Sequence, residues 1–406
     1  MRICYIVEAM SAGVGRHVVD LACGMATCNH EVHIIYSPNR ADPALLEEIA
    51  GLPSIKVHSI PMRRAPHPLD VVALFKITKY FLSNGPFDIV HGHSSKGGLF
   101  SRLVALISTS GSIYTPHAFA TMSPELSAVQ ARFYQLAERL LGRISSKVIC
   151  VSWYEHEHAL KLAIPPEKLA IIRHALNPIG FSPAVPLRRE LGIPPETMIV
   201  GFVGRMEYQK GMDVLLKAAR LALDRCSSMH FVLIGEGSLR KTLQMQAEEL
   251  GLSEHCTWLG HQPARRYYEA LDVVVAPSRY EGLPYSLMEA LSSGTLVVST
   301  AFGGCTELID DGENGYIVPL EDSETLAMRL IELAADEDLR RTMSANARRR
   351  SVFSSLDQMC AENEALYFGW PVDQARLSPA QNLAATAGIP AVVAIRETAE
   401  MPVTMG

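Results

Sequence analysis

The stretch Ser278-Arg-Tyr-Glu281-Gly-Leu-Pro284-Tyr-Ser-Leu-Met-Glu289-Ala-Leu-Ser-Ser-Gly294 decides how the chain is read. It follows Val273-Val-Val-Ala-Pro277, an apolar, β-branched run without alternation and with a proline stop. That is the pattern of a strand buried on both faces of a parallel sheet. Glu281 then lies just beyond the strand's carboxyl end. From Pro284 to Leu291 the spacing predicts a short helix: proline suits a first turn, Leu287, Ala290 and Leu291 share a face, and Gly294 suits the exit. Open α/β sheets bind ligands outside their strand carboxyl ends, and a helix amino terminus offers free N–H groups, so a phosphate-bearing ligand fits this place. Taken alone, the stretch equally allows Glu281 to be a capping carboxylate and Glu289 a solvated helix residue.

Working outward, the alternation of strands and helices repeats. Leu296–Ser299 follows, and Thr257–Leu259, Phe231–Ile234 and Met198–Val203 precede, which together outline a Rossmann-like domain over 197–353. A Pro-rich linker occupies 179–196. Ahead of it, 1–178 reads as a second such domain, opening with strand Arg2–Val7, a loop Glu8–Gly15 carrying Gly13 and Gly15, and helix Arg16–Thr27. Glycines there let backbone amides approach a phosphate, although a tight βα turn explains a lone Gly-x-Gly as well. The expected class is α/β, two doubly wound parallel-sheet domains. Residues 354–371 are expected to form a C-terminal helix and 372–406 a disordered tail of weak periodicity.

Bulk composition excludes several functions. The 406 residues are 48% hydrophobic and 20% charged, as in a globular protein with more than one domain. Up to Asn177 there are 17 Lys and Arg against 13 Asp and Glu, and beyond it 20 against 30, so the net charge of −6 hides a basic first half. Nucleic acid is not an expected partner, whereas the basic half could make peripheral contact with an anionic membrane surface. The eight cysteines show neither Cys-x-x-Cys nor metal spacing, and no run approaches the length of a membrane span. A cytoplasmic protein, associated with the inner face of a membrane if anywhere, is the reading. The helical stretch from Val129 to Ser146, with Arg132, Arg139 and Arg143 beside Phe133, Leu136 and Leu140, is either a membrane-surface patch or an amphipathic helix packed on its own sheet.

In the second half Val203-Gly-Arg205-Met-Glu-Tyr-Gln-Lys210-Gly211 places two cations between a strand and the next helix. Both can reach one anion, Arg as a fork and Lys as a point charge, or the loop is simply solvated. Gly235-Glu-Gly237 repeats the glycine turn after the next strand. Histidines crowd the first half, 11 of 14. His91 and His93 at a strand end are read as structural, with a place beside Lys96 in the cleft left open, and His156 and His158 as a solvated helix face.

These motifs in order, Gly204-Arg205 with Lys210-Gly211, Gly235-x-Gly237, Glu281 to Glu289 with Gly282, and Gly303-Gly304 with Glu307, resemble the retaining GT-B glycosyltransferases of family 4, group 1 glycosyltransferases of polysaccharide biosynthesis. The first half is similar to the same family's acceptor-side domain through Gly13-Val-Gly15-Arg-His and Asp88-Ile-Val-His-Gly-His93. The resemblance covers about 1–370 and implies a GT-B fold, two Rossmann-like domains facing a central cleft, with the C-terminal helix crossing back to the first. By that resemblance Arg205 and Lys210 would hold the donor diphosphate, Glu281 the donor sugar, Glu289 the ribose hydroxyls, and His117 the sugar near the reacting centre. Gly13, Gly15, Gly235, Gly282, Leu283, Pro284 and Tyr285 would contribute donor-binding backbone. No metal and no cofactor are implied. Where the family often has Asn-Gly after strand Leu169–Ile172, this chain has His174-Ala175, to which no role is assigned.

The expected activity is hexosyl transfer, with retention, from a UDP- or GDP-linked sugar to a glycan or lipid-linked acceptor in cell-surface polysaccharide assembly. Alternatives are a GT-B sugar-nucleotide epimerase and a non-catalytic nucleotide-sugar-binding subunit.

Overall fold

The computed structural model describes residues 1–176, 186–350 and 354–369. The expected disordered tail and the first part of the linker lie outside the described residues.

The first lobe runs β1 (Arg2–Val7), α1 (Ala12–Thr27), β2 (Glu31–Tyr36), α2 (Pro43–Ile49), β3 (Ile55–Ser59), α3 (Asp70–Asn84), β4 (Ile89–His93), α4 (Ser94–Ala105), β5 (Gly111–Thr115), α5 (Ala128–Ile144), β6 (Lys147–Cys150), α6 (Trp153–Lys161) and β7 (Leu169–Ile171). Its seven strands are parallel in the order β3-β2-β1-β4-β5-β6-β7. The second lobe runs α7 (Leu187–Glu190), β8 (Met198–Val203), α8 (Met212–Leu223), β9 (Met229–Ile234), α9 (Arg240–Glu249), β10 (Cys256–Gly260), β11 (Val273–Ala276), α10 (Tyr285–Ser293), β12 (Leu296–Thr300), β13 (Gly315–Val318), α11 (Ser323–Ala335) and α12 (Glu337–Arg350). Its six strands are also parallel, in the order β10-β9-β8-β11-β12-β13. Central strands such as β1 and β12 are buried along nearly their whole length, which is why they read as unbroken apolar runs.

A last helix, α13 (Leu356–Tyr367), follows the second lobe yet packs on α1 of the first. Its Met359 and Cys360 enter the first lobe's core, and His30 Nε2 meets Glu364 Oε1 at 2.6 Å. Gly24 of α1 makes room for this helix, since a Cβ there would lie 2.0 Å from Cys360 Sγ.

Two local features differ from expectation. α1 begins at Ala12, so Gly13 and Gly15 stand in its first turns and not in a loop. Close approach explains them: a Cβ on Gly15 would lie 2.7 Å from the Met10 carbonyl carbon, and one on Gly13 would lie 3.0 Å from the Tyr285 ring of the second lobe. Strand β13 was not anticipated because four residues behind the Asp310–Asn314 turn carry too little period to register.

Candidate active site

In each sheet the strand order reverses once, between β1 and β4 in the first and between β8 and β11 in the second. Open parallel sheets place ligands at such points, outside the strand carboxyl ends. Arg205 and Lys210 follow β8 and Glu281 follows β11, so the three flank the second lobe's reversal. Lys210 Nζ donates to Glu281 Oε1, Ser278 Oγ donates to the same oxygen at 3.1 Å, and Gln209 Nε2 donates to Oε2 at 3.3 Å. Glu281 is therefore buried but compensated. Arg205 forms no ion pair with a described residue. Burial first, and then Arg40 and Arg64 of the first lobe, lower its pKa, while Glu281 and Glu207 oppose them. Arg40 pairs with Glu8 at 2.8 Å and Arg64 reaches Glu207 at 3.6 Å. Cations from both lobes thus converge where the counter-charge is incomplete, an arrangement suited to a polyanion.

A row of imidazoles faces this place from the first lobe. His174 Nδ1 donates to the Leu283 carbonyl of the second lobe at 2.9 Å, which leaves its Nε2 as an acceptor. His117 Nδ1 donates to that Nε2 at 3.1 Å, and His93 Nδ1 in turn to His117 Nε2 at 3.1 Å. One carbonyl therefore orders three neutral rings. His117–His174 and His174–Tyr285 are stacked, with centroids 5.3 and 4.7 Å apart. Burial holds His174 down to about 4 and, together with the neighbouring histidines, His17, His93 and His117 well below their usual range.

His117 and Ala118 have φ of 53° and 82°, a left-handed turn that costs on the order of 1–3 kcal/mol per residue. Glu155 holds it. Its Oε1 accepts from Ala118 N at 2.6 Å and its Oε2 from Val151 N at 2.7 Å, in full burial that raises its pKa to about 7. Gly282 closes against the same turn, because a Cβ there would lie 3.1 Å from Ala118 N.

Of the remaining sequence-derived residues, Glu289 lies on α10 and accepts from Arg265 Nε at 2.9 Å and from the Tyr268 hydroxyl at 3.1 Å. Pro284 caps α10, and Gly235 supports the β8 loop with φ of 138° and its Cα against the Gly204 carbonyl. Arg205, Lys210 and Glu281 thus form one group, His117, Gly13 and Gly282–Tyr285 a second across the lobe interface, while Glu289 has its own partners and Gly15 packs on Met10. His91 is structural, bonded to the Tyr367 hydroxyl at 2.7 Å and Thr115 Oγ1 at 2.8 Å, and Lys96 is tied to Asp70 and the Ala65 carbonyl. His158 is not on a solvated face: it meets Thr121 Oγ1 at 2.7 Å and packs on Phe119. His174 was given no role because it departs from the Asn-Gly that the family often has there, and Glu155 was missed because it lies in no recognisable motif.

Buried polar atoms of Glu8, His17, Asp20, His93 and Tyr285 have no hydrogen-bond partner among the described residues, and all five groups belong to the elements bordering this interface. Others of the kind, on Arg102, Ser112 and Asn363, lie elsewhere in the first lobe, so it is the grouping of five at this interface that marks the place. One nitrogen from each of His17, His93 and His117 lies within 4.8 Å of the others, a grouping able to hold a metal ion that no linear motif displays. The depression lined by Arg188, Glu269 and Asp272 sits at the amino ends of β8 and β11, the wrong end for a ligand in such a sheet.

The family profile described as "Glycosyltransferase Family 4" matches residues 11–178, and that described as "Glycosyl transferases group 1" matches 186–350. The chain belongs to the group 1 glycosyltransferases of GT-B architecture. Among similar proteins, a putative glycosyltransferase EpsD of Bacillus subtilis is 27% identical over 76% of this chain and 84% of its own length. The UDP-Gal:alpha-D-GlcNAc-diphosphoundecaprenol alpha-1,3-galactosyltransferase of Escherichia coli is 27% identical over 70% of this chain and 74% of its own. The crystal structure of Anabaena HepE in complex with UDP and glucose superposes with a TM-score of 0.77 at 20% identity, covering 91% of this chain and all of that one. This glycosyltransferase therefore has two parallel-sheet α/β lobes of the GT-B type, and among its described residues no helix is long and apolar enough to cross a membrane.

Proposed function

We propose that this group 1 glycosyltransferase moves a hexose, with retention, from a UDP- or GDP-linked sugar to a glycan or lipid-linked acceptor, in surface polysaccharide assembly on the cytoplasmic side of an anionic membrane. The observation that carries this reading is the convergence of Arg205 and Lys210 with first-lobe arginines at the reversal of the second sheet, opposite unpaired buried polar atoms of the first lobe. A sugar nucleotide supplies what both sides lack: a diphosphate for the cations and hydroxyls for the orphaned acceptors. In this reading Arg205 and Lys210 hold the diphosphate, Glu281 the sugar hydroxyls and Glu289 the ribose. Gly13, Gly15, Gly235 and the 282–285 backbone line the donor site, and His117 stands near the anomeric carbon. The anomeric C–O bond to phosphate breaks as a new C–O bond to the acceptor forms on the same face. The acceptor proton passes to the departing phosphoryl oxygen. The two basic side chains offset the charge that develops there, so no metal is required at the diphosphate. The name of the Escherichia coli relative, with its diphosphoundecaprenol acceptor, supports the lipid-linked branch.

A thermal-shift screen of purified protein against UDP, GDP and ADP and their sugar conjugates tests the donor site. One nucleotide is expected to stabilise the fold by about 2.7 kcal/mol at a hundredfold excess over its Kd, and Glu289→Ala to lose most of that shift. No stabilisation by any of them would remove the donor assignment. Metal analysis and a chelator test the rest. Transfer is expected to survive chelation, and loss of activity together with zinc recovered from the wild type but not from His17→Ala would overturn the metal-free route.

A further inference from the structure

Three imidazoles meet at the carboxyl edge of the first sheet on separate supports. His17 stands on α1, His93 ends β4, and His117 lies in the left-handed turn after β5. One nitrogen from each lies within 4.8 Å of the others, and His93 Nδ1 is 3.1 Å from His117 Nε2. Two imidazole nitrogens bound to one tetrahedral zinc are about 3.3 Å apart, so this pair already has ligand spacing. His17 Nδ1 has no hydrogen-bond partner among the described residues, which leaves that ring to turn onto an ion shared by the other two. The other two supports resist movement. Strand β4 is buried along its length, and Glu155 Oε1 fastens the turn by accepting from Ala118 N at 2.6 Å. Burial first, and then the neighbouring histidines, keep all three rings neutral, the form that binds metals.

A histidine that binds metal almost always donates its second ring N–H to a partner, which turns the remaining lone pair toward the ion. His117 has that partner. Its Nδ1 donates to His174 Nε2 at 3.1 Å, and His174 Nδ1 donates to the Leu283 carbonyl of the second lobe at 2.9 Å, so the lone pair of His117 Nε2 is presented toward His93. An ion that takes His93 Nδ1 as well requires one hydrogen to move, from Nδ1 of that ring to its Nε2, which has no partner among the described residues. No proton leaves the site in the exchange. Glu8 Oε1 and Asp20 Oδ2 are buried at the same interface without partners among the described residues, and Asp20 is three residues beyond His17 on α1, so negative charge is at hand for a dication. Three imidazoles favour zinc and its neighbours copper and nickel over magnesium and calcium, which prefer oxygen.

We propose that His17, His93 and His117 hold one zinc-class divalent cation, with His174 as a positioning residue, and that an ion bound there arrests sugar transfer by fastening the lobes together. The arrest rests on the proposed function, in which donor enters and product leaves between the lobes. Because the bond from His174 to Leu283 orders a ligand, ion and interlobe bond strengthen each other by one and the same factor. Untagged full-length protein, freed of metal by dialysis against a chelator, is titrated with zinc in competition with a chromophoric chelator. One zinc per chain is expected. His174→Ala, which removes no ligand, should weaken binding by about 10–100-fold, and His17→Ala and His93→Asn by more. Cobalt in place of zinc should give the strong visible absorption of a four-coordinate complex in the wild type and, at saturation, in His174→Ala, but not in His17→Ala. The wild-type cobalt spectrum and His174→Ala decide the matter even where His17→Ala fails to fold. Wild-type turnover is expected to fall at least about tenfold with one equivalent of zinc and to recover with chelator. The inference is overturned if the wild type does not bind one zinc per chain, if His174→Ala binds it as tightly, or if that zinc leaves turnover unchanged or raises it. An inactive chelated enzyme counts against the proposed function instead, and the two binding measurements still decide the site.

Discussion

Arg205→Ala is expected to cut turnover by about 10²–10³-fold while leaving the fold intact. Its guanidinium has no ion-pair partner among the described residues, and two arginines of the opposite lobe disfavour its charge, so the ground state gains little from it. In the proposed function its worth lies in the charge that appears on the departing diphosphate, and losing one preorganised contact of that kind costs about 3–4 kcal/mol. Lys210→Ala should have a similar effect on turnover but a different signature in stability. Lys210 is already bound to Glu281, which is buried with only Ser278 and Gln209 as further donors among the described residues. Removing the cation strands that carboxylate, a change that typically costs about 3–5 kcal/mol when one partner of a buried pair is lost. Single-turnover rates and melting curves for the two variants separate these roles. Wild-type turnover in Arg205→Ala would take that residue out of the site, and an unchanged melting temperature in Lys210→Ala would show that the pair does not matter to the fold.

The second large effect is sensitivity to mild acid. His91 is held down to about 3 and His174 to about 4 by burial, and His17 and His93 lie well below the usual range. A histidine whose pKa is lower in the folded than in the unfolded chain takes up protons preferentially on unfolding once the pH drops below the unfolded value of 6.5. Stability is therefore lost as pH falls from about 6.5 toward 4. At pH 5.5 each such group costs on the order of 1 kcal/mol, and with His117 there are five of them. Glu155 acts in the opposite sense. Its pKa is raised from 4.5 to about 7, so it favours the fold progressively as pH falls through that window and returns about 2 kcal/mol at pH 5.5. The lowered imidazoles outnumber this one carboxyl, so a net loss of stability should appear as a clear drop in melting temperature between pH 7.5 and 5.5. Replacing His93 with Asn should shrink that drop, and a melting temperature indifferent to pH would mean that the imidazoles are not neutral inside the fold.

Much of this architecture was legible because parallel strands buried on both faces write themselves as runs such as Val273–Ala276, and because proline and glycine punctuate the elements between them. The group around Glu281 was legible for the same reason: its members follow two strands directly, so their place at the sheet's carboxyl edge is implied by order alone. The imidazole row was not. His17, His93, His117 and His174 come from four separate segments, and only the fold brings their rings together. Glu155, in a stretch that reads as a solvated helix, gives no local sign that it fastens a strained turn 37 residues away. The outward face of α5 was ambiguous for a physical reason too, since helical period reports which residues share a side but not whether that side meets a sheet or solvent.

The bond between His174 and the Leu283 carbonyl has one more consequence. The carbonyl belongs to one lobe and the rings it orders to the other, so the hydrogen positions along the row record whether the lobes are together. Separating them removes the acceptor that fixes which nitrogen of His174 carries its hydrogen, and His117 and His93 lose their assignment with it. His117 Nε2, an acceptor when the lobes meet, is then free to become a donor. The state of closure is thereby written as tautomer identity, and nitrogen-15 chemical shifts of these imidazoles would report it directly.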